Sequence, residues 1–186
     1  MNHQGTKVLE TRRLLLRPFR ADDAEAMYRN WASDAEVTRF LTWPPHDDPE
    51  FTRTLAAQWE QSSHDPAFYQ WAIVPKDLGE PIGSISVVRI DPSTESMELG
   101  YCIGRAWWGQ GLMTEAVRAV VGYLFAEVGV RRVCAQHDTE NPASGAVMRK
   151  AGMKKDGVLR QGGRNNRGIV DTAVYSILRE EWAAER

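Results

Sequence analysis

Residues 98–116 read ELGYCIGRAWWGQGLMTEA, and this stretch decides the fold class. Over 97–103, apolar side chains alternate with polar or small ones, which predicts a β-strand. From Leu112 to Val128 an apolar residue recurs at every fourth position, which predicts a helix that ends at Gly129. The stretch is therefore a strand, a glycine loop and a helix. A strand that follows such a helix within one sheet forms a right-handed parallel crossover.

The rest of the chain supplies elements on both sides of this unit. Before it we predict a strand in RLLLRPF (13–19), helices from Ala21 and over 49–61, and strands over 68–74 and 81–88. After it we predict a strand over 132–136, a helix over 141–151 and a last strand over 170–178. The order β-α-α-β-β-β-α-β-α-β-β predicts a mixed α/β protein. Its sheet combines an antiparallel meander with a central parallel β-α-β unit.

Length and composition favour one soluble domain. The 186 residues suit a single core, which we place at about 11–180 within one domain over 1–186. A net charge of -2 gives no reason to expect a nucleic acid or an anionic membrane as partner. Two cysteines and the lack of an apolar leader or spanning segment favour a cytoplasmic protein.

The glycine loop at 104–111 has the properties of a phosphate site. Alternate glycines at Gly109 and Gly111 let the backbone approach a ligand closely. The first amides of the following helix have no partner within the helix, and the helix dipole favours an anion there. The alternative is a plain strand-to-helix turn. The motifs of P-loop and dinucleotide-binding proteins are both missing.

Four motifs in order carry a resemblance to a known family. They are ELGY at 98–101, WWGQGLMTEA at 107–116, NPAS at 141–144 and KAGM at 150–153. The set resembles the GNAT superfamily of N-acetyltransferases, closest to its RimJ and RimL branch of ribosomal-protein acetyltransferases. TRRLLLRPFRADDAEAMYRNW at 11–31 also resembles that branch. The resemblance implies a GNAT-like fold with a splayed pair of parallel strands, acetyl-CoA as co-substrate and no metal.

By resemblance, the amides of 109–114 would hold the pyrophosphate of CoA, and pantetheine would lie between the parallel strands. Ala106 departs from the glutamine or arginine that opens the family's loop motif. The implied cofactor-binding residues are Tyr101, Cys102, Ile103, Trp108, Gly109, Gln110, Gly111, Leu112, Met113, Thr114, Asn141 and Ser144.

Acetyl transfer to an amine requires a base, a donor for the oxyanion and a partner for the departing thiolate. Ser144 resembles the family's serine and is the candidate thiolate partner, although Asn141 and Ser144 also suit an ordinary helix start. By resemblance, Glu98 and Asp156 are the two candidate bases; the alternative for Glu98 is a solvated strand carboxylate, and the alternative for Asp156 is a turn formed with Gly157. The oxyanion donor implied by resemblance is the N–H of Cys102 or Ile103.

The acceptor is a primary amine, either a protein N-terminus or a small molecule, and the branch resemblance favours the N-terminus. Trp43, Tyr101 and Trp107 are the candidate pocket residues. A homodimer is left open. Two other hypotheses are a CoA-binding sensor without transferase activity and a nucleotide-binding enzyme.

Overall fold

The computed structural model describes residues 1–184, and its eight strands form one mixed sheet in the order β1-β2-β3-β4-β5-β6-β8-β7. The strands are β1 (Leu9–Glu10), β2 (Leu14–Pro18), β3 (Gln70–Pro75), β4 (Gly83–Asp91), β5 (Ser96–Ile103), β6 (Arg132–Asp138), β7 (Lys154–Asn165) and β8 (Gly168–Leu178). Only β5 and β6 pair in parallel; the other neighbours are antiparallel. The predicted mixed sheet and central parallel unit are confirmed.

Within the described residues, six α-helices accompany the sheet: α1 (Ala24–Met27), α2 (Ala35–Thr38), α3 (Pro49–Ser62), α4 (Leu112–Tyr123), α5 (Pro142–Lys150) and α6 (Arg179–Ala184). Short π-helical turns continue α1 and α4. The sequence prediction missed β1, α2 and α6 because segments of two to six residues are too short for a hydrophobic period to show.

Helices cover the sheet on two faces. On one face, α4 and α5 pack on the strands through buried residues such as Val117, Val120 and Met148. On the other face, Phe19 and Trp31 pack with the helical segments α1–α3 against the β3 residues Ala72 and Val74. The two layers hold β5 and β6 at the centre of the sheet, where their parallel pairing is incomplete.

The parallel pair β5–β6 separates halfway along its length. Pairing runs from Ser96 opposite Arg132 to Leu99 opposite Ala135, whereas β5 continues to Ile103 and β6 to Asp138. A bulge at Val88 in β4 lies beside this point, and bulges bend a strand and increase its twist. The two strands therefore splay and leave a mouth at their carboxyl ends.

Gly100 lies where the bulge meets β5. A Cβ atom at this position would lie 2.7 Å from Cγ1 of Val88, so any larger residue would require the Val88 side chain to move. Within residues 1–184, no helix has both the length and the apolar character that crossing a membrane requires.

Candidate active site

A pocket of about 450 Å³ lies at the carboxyl end of β5, beyond the point where its pairing with β6 stops. The end of β5, the glycine loop, α5 and the segment around α2 surround it. Its lining residues are Glu36, Val37, Phe40, Leu41, Tyr101, Cys102, Ile103, Trp107, Trp108, Gly109, Gly111, Leu112, Met113, Thr114, Glu140, Asn141, Pro142, Ala143, Ser144, Ala146, Val147 and Lys150. The structure thus brings most of the predicted cofactor-binding residues together in one cavity.

The glycine loop presents backbone amides to this pocket. Gly109 and Gly111 have φ angles of 74° and 76°, a left-handed conformation that disfavours other residues. The first backbone bond of α4 runs from the N–H of Glu115 to the carbonyl of Gly111, over 3.1 Å. The N–H groups at 112–114 therefore have no acceptor within the helix, and these three residues line the pocket. Such an arrangement is suited to a pyrophosphate.

Two side chains of the loop serve its own structure. Gln110 is not among the lining residues, and its side-chain amide donates to the carbonyl of Ala106 at 2.9 Å. The indole N–H of Trp108 donates to the carbonyl of Ile103 at 2.8 Å, at the end of β5. Both contacts hold the loop in its turn, and Gln110 is placed away from the pocket that it was expected to line.

The backbone of β5 decides which N–H groups face the mouth. The N–H of Gly104 donates to the carbonyl of Ile82, on the β4 side. Because successive N–H groups of a strand point in opposite directions, Cys102 also faces β4, and Ile103 faces the mouth. Of the two oxyanion donors considered, the geometry favours Ile103. Burial also raises the pKa of the Cys102 thiol to about 11, so this thiol stays protonated at neutral pH.

Ser144 lies at the start of α5 beside Tyr101. Asn141 is the N-cap of α5, and its side chain accepts the N–H of Ser144 at 3.4 Å. The Tyr101 hydroxyl lies 3.1 Å from both the carbonyl oxygen and Oγ of Ser144. Burial raises the pKa of Tyr101 to about 12, although the bond with Ser144 lowers it in part. Two protonated hydroxyls therefore stand together in the pocket.

The two predicted bases do not line the pocket. The buried Glu98 carboxylate lies 2.9 Å from the guanidinium of Arg89. Asp156 accepts from Arg132 at 2.7 Å and from the Ser176 hydroxyl at 2.9 Å.

Register explains the position of both groups. Glu98 of β5 and Ser176 of β8 are both paired with Cys134 of β6, so their side chains lie on the same face of the sheet. This position is in the half of β5–β6 where the two strands are still paired. The acidic residues that do line the pocket are Glu36 and Glu140, and the sequence reasoning did not single out either.

Comparison with known proteins decides the family. A model of the acetyltransferase (GNAT) domain matches residues 13–154. The chain belongs to the GNAT acetyltransferase family. The uncharacterized N-acetyltransferase YoaA of Bacillus subtilis (strain 168) is 33% identical over 172 residues, 92% of this chain and 97% of YoaA. The ribosomal-protein-serine acetyltransferase of Escherichia coli (strain K12) is 26% identical over 138 residues, 74% of this chain and 76% of that protein.

A solved structure agrees with these sequence relatives. The GCN5-related N-acetyltransferase from Brucella melitensis superposes with a TM-score of 0.82 at 25% identity, and the match covers 98% of this chain and 83% of that one. The predicted family is confirmed, and with it the acetyl-CoA-dependent N-acetyltransferase activity and the GNAT fold.

The far side of the acetyltransferase pocket is a wall formed by α2 and the turn after it. Val37, Phe40 and Leu41 contribute its apolar side chains. Asp34 is the N-cap of α2 and accepts the N–H of Glu36 at 2.9 Å. The aspartate that favours an N-cap was the one signal of this wall in the sequence, because α2 is too short for a hydrophobic period to show.

Among the predicted acceptor residues, Tyr101 and Trp107 line the pocket and Trp43 does not. Trp43 packs against the core cluster that contains Phe19 and Trp31, and its ring contacts the ring of His46, with centroids 5.2 Å apart. Proline residues at 44–45 place Trp43 in a loop, as expected, but its ring serves packing rather than the cavity.

The tip of the β7–β8 hairpin holds this wall, a role that the sequence did not reveal. Asn166 donates through its side chain to the carbonyls of Thr38 and Trp43 at 2.8 and 2.7 Å, and through its N–H to that of Leu41 at 3.1 Å. Its neighbour Arg167 donates to the buried Asp138 at 2.9 Å. The hairpin tip therefore connects the end of β6 with the wall.

The sequence reasoning expected no metal. Across residues 1–184, His, Cys, Asp and Glu side chains form no group of three or more that could hold a metal ion.

Proposed function

We propose that this acetyltransferase modifies the α-amino group at the N-terminus of a protein. The observation that carries the proposal is the pocket itself, in which amides suited to a pyrophosphate and the Tyr101–Ser144 pair face a wall beyond the mouth. The E. coli relative that acts on a ribosomal protein supports this class of acceptor.

The proposed chemistry is direct transfer. The neutral amine attacks the thioester carbonyl, forming a C–N bond while the C–S bond breaks. The N–H of Ile103 stabilises the oxygen that becomes negative during attack. The Ser144 hydroxyl, hydrogen-bonded to Tyr101, donates a proton or a hydrogen bond to the departing thiolate of CoA. The proton that the amine loses passes to a carboxylate or to water.

We assign the base to the pocket carboxylates, with Glu140 first. Glu140 lies directly before the α5 N-cap, and its N–H donates to Asp138 at 2.9 Å, so the turn that carries it is fixed beside Ser144. Glu36 on the opposite wall is the second candidate. Glu98 and Asp156 remain as proposals that require a water chain to the pocket, since both are engaged by arginines on the sheet face.

A panel of isosteric variants tests the base: Glu140→Gln, Glu36→Gln, Glu98→Gln and Asp156→Asn. Loss of a general base lowers kcat by about 10²-fold or more, most strongly at low pH where free amine is scarce. We expect this for Glu140→Gln. The same loss in Glu98→Gln or Asp156→Asn, with Glu140→Gln unaffected, would return the base to the sheet face.

The acceptor is tested by incubating the protein and acetyl-CoA with peptides that begin with serine or alanine, and with small amines. Thiol release and peptide mass are recorded together, and the same peptides with a blocked N-terminus serve as controls. We expect acetylation of the free N-termini only. Faster turnover of the small amines would replace the proposed acceptor class, and tight CoA binding with no acceptor-dependent release would favour the sensor.

We further propose a cytoplasmic location, which cell fractionation tests. Light scattering of the purified protein tests for a homodimer.

A further inference from the structure

Arg13 connects the turn before β2 with the glycine loop. Its Nη1 donates to the carbonyl of Gln110 at 3.0 Å, and its Nε donates to Oε2 of Glu115 at 2.7 Å. A guanidinium is planar and rigid, so it holds two acceptors at a fixed angle. Arg13 therefore links the loop to the first turn of α4.

Glu115 is held from three directions. Besides the Nε bond, it accepts the N–H of Arg13 at 2.9 Å and the hydroxyl of Thr11 at 2.7 Å. Burial opposes its ionisation, but these bonds outweigh burial and hold the pKa of Glu115 below its ordinary value. The carboxylate is thus charged, and its charge is matched by Arg13 rather than directed at an anion in the pocket.

The bond to Gln110 has a geometric consequence for the next amide. In a trans peptide the C=O of one residue and the N–H of the following residue point in opposite directions, and the structure contains no cis peptide among the described residues. Because Arg13 holds the Gln110 carbonyl on its own side, the N–H of Gly111 is directed away from Arg13. Gly111 lines the pocket.

We infer that Arg13 is a positioning residue for the pyrophosphate of CoA. It acts through the 110–111 peptide and through Glu115. The sequence placed Arg13 only at the start of a strand, and the inference rests on the proposed binding of acetyl-CoA at the glycine loop.

The test compares Arg13→Met with Arg12→Met. Arg12 is the exposed neighbour, so its replacement removes the same charge without touching the loop. We expect Arg13→Met to raise the KM for acetyl-CoA about tenfold, the effect of losing one or two charge-assisted hydrogen bonds, with kcat nearly unchanged. Arg12→Met should behave like the wild type, and equal KM values for the two variants would overturn the inference.

A second donor separates positioning from general stability. S-acetyl-pantetheine lacks the phosphates, so kcat/KM for this donor should be the same in Arg13→Met and the wild type. A parallel loss with both donors would show a merely structural role and contradict the inference.

Arg13→Lys distinguishes a positioning role of Arg13 from a direct electrostatic interaction of its charge with the phosphates. Lysine keeps the charge but has no planar fork, so we expect its KM to stay raised. A wild-type KM for acetyl-CoA in Arg13→Lys would instead indicate that Arg13 acts as a point charge.

Calorimetric titration measures the Kd for CoA in the same variants and needs no acceptor. If the wild type binds CoA but transfers nothing, the proposed function fails while the test of Arg13 still stands.

Discussion

The two halves of the pocket are built in different ways. The half that we propose for CoA consists of backbone groups, namely the first amides of α4 and the capped start of α5. The half that we propose for the acceptor consists of the four-residue α2 and the following turn, which the Asn166 side chain at the hairpin tip holds in place. We therefore expect the donor to be recognised through backbone conformation, whereas the acceptor side depends on a few replaceable side chains.

The largest expected effect comes from Gly111→Val in the CoA half. Valine at φ 76° is strained by about 1–3 kcal/mol, and relief of that strain turns the amide away from the pocket. We expect kcat/KM for acetyl-CoA to fall at least tenfold. Gly79→Val is the matched control, because Gly79 has a φ of 75° and open space around it but lies outside the pocket. If both variants lose stability alike and neither changes the KM for acetyl-CoA, the CoA half is not a backbone cradle.

Ser144→Ala tests the chemistry at the boundary between the halves. Alanine suits the first turn of α5, so the fold should be kept while the hydroxyl that meets the thiolate is lost. We expect kcat to fall about 10²-fold with little change in either KM. Tyr101→Phe should have a smaller effect, since it removes only the partner of Ser144. An unchanged kcat in Ser144→Ala would exclude Ser144 as the thiolate partner.

Asn166→Ala tests the acceptor half. The side chain gives two hydrogen bonds to carbonyls of the wall, and their loss leaves α2 and the following turn less fixed. We expect the KM for a peptide acceptor to rise about fivefold, in keeping with about 1 kcal/mol for such a bond, while the KM for acetyl-CoA stays unchanged. Arg164→Ala on the same hairpin is the exposed control. A rise in the KM for acetyl-CoA instead would show that the two halves are not independent.

The smallest expected effect is in the pH profile. Because burial raises the pKa of Tyr101 to about 12, its hydroxyl keeps its proton throughout the range where the amine titrates. Activity at saturating acetyl-CoA should therefore rise with pH as free amine forms, and show no decline from Tyr101 below about pH 10. A decline near neutral pH that Tyr101→Phe abolishes would contradict the buried, protonated state of this hydroxyl.

The two halves of the pocket also differ in how well they could be predicted from the sequence. The loop was predictable because Gly109 and Gly111 require a left-handed backbone and a long apolar period follows them. The α5 start was predictable from Asn141 and its proline. The acceptor wall was not, since α2 is too short to show a period and Asn166 lies 123 residues from Trp43 in the chain. That neither predicted base lines the pocket was also not predictable, because strand alternation does not reveal that pairing of β5 with β6 ends at Leu99.

The most direct measurement is the intact mass of a peptide with a free N-terminus after incubation with acetyl-CoA and the protein, alongside the thiol released. We predict that the peptide gains one acetyl group per thiol with the wild type and Gly79→Val, and that it does so far more slowly with Gly111→Val. A peptide of unchanged mass, or thiol released equally fast without the peptide, would contradict this prediction.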